Sequence, residues 1–313
     1  MKATAIAHAN IALVKYWGKR DDDLLLPQAP SLSVALDRLI TTTTVELGAA
    51  QDSLLLDGRP AERGELLRAR AVLDAAGIRE RARIESRNDF PTGAGLASSA
   101  SGFAALAAAA VAAAGQERSL GELSALARLG SGSAARSVPG GWAVWRDREA
   151  EQVAPPEHLP ARLLVAVCAQ GPKEVGSREG MKRTRDTSPY HAAWIEQCRR
   201  DLPEALRLLR ERDLAGLGAL AERNALRMHA DTLAADPPLV YWEPATLGCL
   251  RALQRLRSDG VGAWATIDAG PHLVAICTPS DADRVATALR LVAGVREVIA
   301  CAPAGGVRVV EAS

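Results

Sequence analysis

No charge of either sign dominates this chain, in which 38 Lys and Arg face 37 Asp and Glu for a formal net charge of +1. A protein that neutralises many nucleic-acid phosphates needs a broad basic surface. That class is excluded, and any bound anion must be small and locally held. Cysteine chemistry is equally thin. Cys168, Cys198, Cys249, Cys277 and Cys301 are odd in number and form no CxxC pair, which leaves zinc ribbons and dithiol redox motifs without ligands. Buried free thiols in a reducing compartment are the expectation. His8, His158, His191, His229 and His272 show no HExxH-type spacing, so no metal is assigned to them.

Long lipid-soluble runs are missing too. The one stretch of spanning length, residues 96–115, is built largely from Ala, Ser and Gly, which partition weakly into lipid. It reads as a buried helix, and no membrane association is expected. Met1 to Val14 carries a single Lys and an apolar stretch broken by His8 and Asn10. That is unlike a secretory leader, and a cytoplasmic location follows as the expectation. No internal repeat recurs at any period, which removes solenoids and propellers.

What is present is an ordinary globular composition, 48% hydrophobic and 24% charged. At 313 residues the chain is too long for one small core, and two fused α/β lobes or one large domain are the natural readings, of which two lobes are favoured. Alternation predicts strands at Ile6 to Leu13, Thr41 to Leu47, Leu54 to Leu56, Arg81 to Ser86 and Trp142 to Trp145. Between them lies an apolar helix from Gly95 to Ala114, then one capped by Ser119 with Glu122 and ended at Gly130. The acidic, proline-bearing stretch Asp147 to Pro160 reads as a connection, which divides the chain into residues 1–155 and 156–313. Beyond it the pattern predicts a strand at Arg162 to Ala169, two helices within Tyr190 to Met228 and a helix at Pro244 to Ser258. A strand, strand, helix, strand ending then runs from Ala263 to Ala300, suiting an α+β lobe with helices on one face of an antiparallel sheet.

Several clusters carry chemistry. The loop Pro91 to Ser101 joins a strand to a helix through glycines, and free N–H groups at a helix start favour an anion. It is neither a Walker sequence nor a dinucleotide fingerprint, and taken alone a Gly/Ser-rich turn also serves plain structure. Lys15, Tyr16 and Lys19 supply donors suited to a phosphate ester. Gly130-Ser-Gly-Ser with Arg136 offers two hydroxyls and a guanidinium that matches a carboxylate. Ser177 and Arg178 form a third polar group, and Asp268 follows a strand directly, where it can accept or orient a hydroxyl proton. Asp-Ala-Gly-Pro suits an Asx-type turn equally well. Tyr241 and Trp242 read as packing residues.

In this order, Lys15-Tyr-Trp-Gly-Lys-Arg20, the Pro91 loop, Gly130-Ser-Gly-Ser with Arg136, Gly176-Ser-Arg-Glu-Gly-Met181, Asn224-Ala-Leu-Arg-Met-His-Ala230 and Asp268-Ala-Gly-Pro271 resemble the motif series of the diphosphomevalonate decarboxylases, in the GHMP kinase superfamily. The resemblance implies a two-lobed GHMP kinase-like fold with the active site in the cleft. An N-terminal mixed lobe would face a C-terminal antiparallel sheet lobe with helices. It implies ATP and Mg²⁺ as co-substrate and cofactor. Asn88, Pro91, Gly93, Ala94, Gly95, Leu96, Ala97, Ser98 and Ser99 would surround the nucleotide, with Ser99 the contact to Mg²⁺. Lys15, Tyr16, Lys19, Ser131, Ser133, Ser177 and Arg178 would hold the substrate's phosphates, Arg136 its carboxylate and Asp268 its 3-hydroxyl. Gly176 stands where the family usually has serine, Pro139 where it has an aromatic and His272 where it has asparagine.

The activity so implied is ATP-dependent decarboxylation of mevalonate 5-diphosphate, through phosphorylation of the 3-hydroxyl and loss of phosphate and CO₂. A phosphomevalonate decarboxylase or a mevalonate 3-kinase shares these parts, and a sensor without chemistry is the reading from another class. Lys15 and Lys19 together favour a diphosphate. A homodimer is the commonest closed assembly and is also what the resemblance implies.

Overall fold

The computed structural model describes residues 1–90, 98–169, 171 and 173–313. The first part of the chain runs through β1 (Lys2–Val14), β2 (Lys19–Asp21), β3 (Leu26–Pro27), β4 (Ser31–Leu47), β5 (Ser53–Leu56), β6 (Arg59–Pro60), α1 (Arg63–Ala75) and β7 (Ala82–Asn88). It continues through α2 (Ser98–Ala113), α3 (Leu120–Gly130), α4 (Ala134–Ser137), β8 (Trp142–Trp145) and β9 (Ala150–Ala154). The second part contains β10 (Arg162–Val167), α5 (Ser177–Thr187), α6 (His191–Arg210), α7 (Leu214–Leu233), α8 (Pro244–Ser258), β11 (Ala263–Ile267), β12 (Leu273–Cys277), α9 (Ala282–Arg290), β13 (Glu297–Cys301) and β14 (Arg308–Ala312).

The first sheet is ordered β14-β1-β4-β7-β5-β6, with β8 and β9 joined to the start of β4. All its pairs are antiparallel except β5 with β7. β1 alternates Ala3, Ala5 and Ala7 inward against the alanines of α2, all fully buried. Small side chains on both elements let the helix lie close to the sheet, which sets where the start of α2 emerges. In β4, Leu39 to Leu47 alternates buried and exposed positions, whereas Ser31 to Leu36 is buried throughout. The first half is covered on its second face by the other lobe, in a core that joins Leu13, Val34 and Trp142 to Leu163, Trp194 and Leu217.

The second sheet, β11-β12-β10-β13, is wholly antiparallel, with α8 and α9 closing a separate core over one face. The α+β reading holds, as do the Ser119–Glu122 capping box, the break between α6 and α7 and the bounds of α8. Two expectations need correction. Residues 147–160 are not merely a connection, because β9 lies within them and pairs with β8. The chain also does not end on the second sheet, since β14 returns to the edge of the first and pairs with β1. All five cysteines are buried and free.

Candidate active site

A cavity of about 470 Å³ opens between the lobes, lined from one side by the end of β1, the start of α2 and the α3–α4 turn, and from the other by α5, α7 and the turn after β11. It gathers Lys15, Tyr16, Lys19, Ser98, Ser99, Ser131, Ser133, Arg136, Ser177, Arg178 and Asp268. Residues separated by up to 253 positions in sequence thus meet in one cavity.

Lys15 is the first residue beyond β1. Its side chain turns inward, and Nζ lies 2.5 Å from Oδ1 of Asp268. Burial pulls the Lys15 pKa below the ordinary lysine value, with the Asp268 charge working the other way. Asp268 itself stands one residue after β11, and a tight turn in which Gly270 N–H donates to its carbonyl follows at once. Lys173 approaches the same turn, donating to the carbonyl of Ala269 and to Oγ of Ser177, each at 2.7 Å.

Arg136 comes from the short helix α4 and is buried. Nη1 donates to Oγ of Ser31 at 2.7 Å, and Nε has no partner. Among the described residues it makes no ion pair, and burial brings its pKa down to about 10 in spite of Asp268 nearby. An unpaired buried guanidinium is costly, so its retention points to an anionic ligand. Tyr16 packs edge-on against Trp145 at 4.7 Å with its Oη unpartnered, and burial raises its pKa. The glycine at 132 is needed for this, because a Cβ there would stand 2.7 Å from Tyr16 Oη.

A row of hydroxyls crosses the cavity floor. Ser99 Oγ lies 3.2 Å from Ser131 Oγ, which lies 3.2 Å from Ser133 Oγ. Ser98 and Ser99, the first described residues of α2, stand at the head of this row. Opposite, Gly176 caps α5 without a side-chain bond, and Arg178 on its first turn donates to the carbonyl of Gly130 at 2.9 Å. Lys19 is buried, its pKa pulled down by that burial, and its nearest carboxylate is Asp22 at 3.4 Å. A second cavity of about 100 Å³ adjoins, with Leu54, Leu56, Ile84, Phe103 and Leu106 among its walls and Asn88, Ser98 and Ser99 at its rim. Pro91, Gly93, Ala94, Gly95, Leu96 and Ala97 lie outside the described residues.

Residues 7–154 match the family model for the diphosphomevalonate decarboxylase-like N-terminal domain, and residues 163–304 match that for the mevalonate 5-diphosphate decarboxylase C-terminal domain. The chain belongs to the diphosphomevalonate decarboxylase family. The diphosphomevalonate decarboxylase of Aspergillus fumigatus is 36% identical over 94% of this chain and 81% of its own length. A crystal structure of mevalonate diphosphate decarboxylase from Staphylococcus aureus superposes with a TM-score of 0.92 at 36% identity, covering 99% of this chain and 98% of that one. A structure of MDDEF in complex with MVAPP, AMPPCP and magnesium gives 0.92 at 35% identity, covering 99% of both chains.

Sequence reasoning passed over two residues that line the cavity and one that packs behind it. Lys173 stands in a loop next to Gly171, and only the fold brings it to Ala269. Arg68 belongs to α1, and its guanidinium lies 5.4 Å over the Phe103 ring between the two cavities. His229, inside the quoted Asn224 to Ala230 motif, is buried beside Trp242 at 4.9 Å and interacts with the backbone of Ile267 and Asp268. Burial, with Lys15 adding to it, lowers the His229 pKa to about 4. Tyr241 packs against Trp17 and His229, as the packing expectation had it.

Proposed function

We propose that the larger cavity takes mevalonate diphosphate and the smaller one the base of ATP, with the start of α2 between them holding the nucleotide's phosphates. The reaction is the ATP-dependent decarboxylation of mevalonate 5-diphosphate to isopentenyl diphosphate, ADP, phosphate and CO₂. One observation supports the placement. Lys15, Lys19, Arg68, Arg136, Lys173 and Arg178 line the larger cavity, and among the described residues Asp268 is its single carboxylate. Such a surplus of cations, of which Lys15, Lys19 and Arg136 are buried, suits a ligand with several negative charges, and the buried ones are worth more where water is excluded.

Asp268 is assigned to the 3-hydroxyl, whose proton it accepts or orients as the terminal phosphoryl group is transferred. Lys15 keeps the carboxylate in place, and Arg136 holds the substrate's carboxylate. The phosphorylated C3–O bond then breaks with its electron pair leaving on phosphate. The C1–C2 pair becomes the C2–C3 double bond as CO₂ departs. Tyr16, Lys19, Ser131, Ser133, Ser177 and Arg178 are assigned to the diphosphate, at the open N-terminus of α5.

Among the described residues no group of three or more His, Cys, Asp or Glu can hold a metal ion. A Mg²⁺ ion held mainly by nucleotide phosphates and one hydroxyl fits this donor set. Ser99 is the hydroxyl we assign to it, and the ion, when bound, neutralises phosphate charge. Among the described residues no helix is long and apolar enough to cross a membrane. We assign the protein to the cytoplasm, as five buried free thiols suit a reducing compartment, and to a homodimer on symmetry grounds.

The test follows ADP and CO₂ separately, with ATP, Mg²⁺ and either mevalonate diphosphate or the monophosphate, for the wild type and Asp268→Asn. Equal ADP and CO₂ from the diphosphate, abolished in the variant, supports the assignment. ADP without CO₂, or turnover of the monophosphate alone, overturns it.

A further inference from the structure

The Asn224 to Ala230 motif contributes only Met228 to the cavity wall, which leaves its first residue without a stated task. Asn224 is fully buried in the middle of α7. Its Oδ1 accepts the backbone N–H of Lys15 at 2.8 Å, at the position where β1 has ended and sheet pairing no longer fixes the chain. Its Nδ2 donates to Oδ2 of Asp201 on α6 at 2.8 Å. Asp201 is held in turn by Gln197, whose Nε2 donates to Oδ1 at 2.7 Å, and by Arg227 at 3.5 Å.

This chain has a direction. A carboxylate accepts and does not donate, so Asp201 forces the amide nitrogen of Asn224 toward itself and leaves the oxygen to face Lys15. A second tie holds the other partner of the ion pair, since Thr266, two residues before Asp268, donates from Oγ1 to the carbonyl of Ala12 at 2.8 Å. The end of β1 is thereby fastened to both α7 and β11, the elements that flank the Lys15–Asp268 pair.

We propose that Asn224, oriented by Asp201, is a positioning residue that fixes the Lys15 backbone so that its ammonium meets Asp268. The proposal rests on the assignment of that ion pair to the reaction. A displacement of about 1 Å at a reacting centre can cost on the order of 100-fold in rate. Asn224→Leu, branched at Cγ like asparagine but without its hydrogen bonds, is therefore expected to lower kcat between 10- and 100-fold. KM for ATP and for mevalonate diphosphate should stay within about twofold, because Asn224 lines neither cavity.

A double-mutant cycle with Lys15→Met separates positioning from general loosening. If Asn224 acts through Lys15, adding Asn224→Leu to Lys15→Met lowers kcat no further; equal multiplicative losses in both backgrounds overturn the inference. An unchanged kcat for Lys15→Met would instead overturn the reading of the ion pair on which it rests. Should Asn224→Leu fail to fold, an exchange of polarity decides. Asn224→Asp alone sets two carboxylates face to face and should lose activity, while Asn224→Asp with Asp201→Asn restores a donor between them and should regain most of it. Failure of that rescue in a folded protein also overturns the inference.

Discussion

Lys15 and Asp268 form an ion pair in which the two partners see different amounts of water: the lysine side chain is 1% exposed and the aspartate 33%. The lysine is thus the fixed member and the carboxylate the one that faces a ligand. Substituting the exposed member strands a cation in the interior, whereas substituting the buried member leaves a carboxylate that water can still reach.

Asp268→Asn should therefore lose both activity and stability. A positioned base contributes roughly 10²- to 10⁴-fold to a rate, and a kcat loss in that range is expected. Breaking a buried pair by removing one partner costs about 3–5 kcal/mol, and the exposure of Asp268 places the expected loss below that range. Thermal unfolding in parallel with CO₂ release checks both.

Arg136→Met should separate the two quantities. A buried guanidinium with no carboxylate partner gains little for the fold, and apolar replacement of buried charge is often neutral or stabilising. Unchanged or raised Tm is expected, with kcat/KM for mevalonate diphosphate down by at least about 100-fold, the cost of losing a charged hydrogen-bonded contact in a dry site. A Tm lowered by several degrees would show that the bond to Ser31 dominates instead.

The pH dependence of stability has a definite sign at His229. Its folded pKa of about 4 lies below the ordinary 6.5, so between these values the unfolded chain binds more protons and stability falls as pH drops. Above pH 6.5 the contribution is flat. Full acidification through the window costs on the order of 3 kcal/mol. His8, also lowered by burial, acts in the same direction, so urea unfolding of His229→Gln at several pH values should show a shallower slope rather than none.

Gly102→Leu tests the smaller cavity. This glycine of α2 lines it, and a Cβ there meets nothing within 4 Å. The helix gains about 1 kcal/mol from losing a glycine, so folding is preserved while the added side chain fills the cavity. KM for ATP should rise tenfold or more with KM for mevalonate diphosphate unchanged; equal effects on both would remove the base-binding assignment.

The legible parts of the fold were those with local signals. Ser119 and Glu122 cap α3 as their spacing requires, and Pro244 opens α8. The missed elements carry weak patterns for identifiable reasons. β14 is exposed at all five positions, so no alternation marks it, and β9 buries only its two end residues. α5 is almost entirely polar, with Gly180 in its middle, so the pattern assigns it no element; Trp17 and Tyr241 stand beside that glycine. In the candidate site, clusters such as Ser131, Ser133 and Arg136 were visible because they are close in sequence. The contact of the Lys15 ammonium with Asp268 was not legible, because only tertiary folding supplies that neighbour.

The concentration of cations in one cleft has a consequence for handling the protein as well as for catalysis. The molecule as a whole is nearly neutral at +1, so attraction of multivalent anions comes from the cations that line the cleft and reaches over about a Debye length, near 10 Å at 0.1 M salt. Lys19 and Arg178, assigned to the substrate's diphosphate, distinguish poorly between it and inorganic phosphate or sulfate. Those buffers will compete for the cleft and slow capture of substrate, and rates measured in them will understate what the cleft does in their absence.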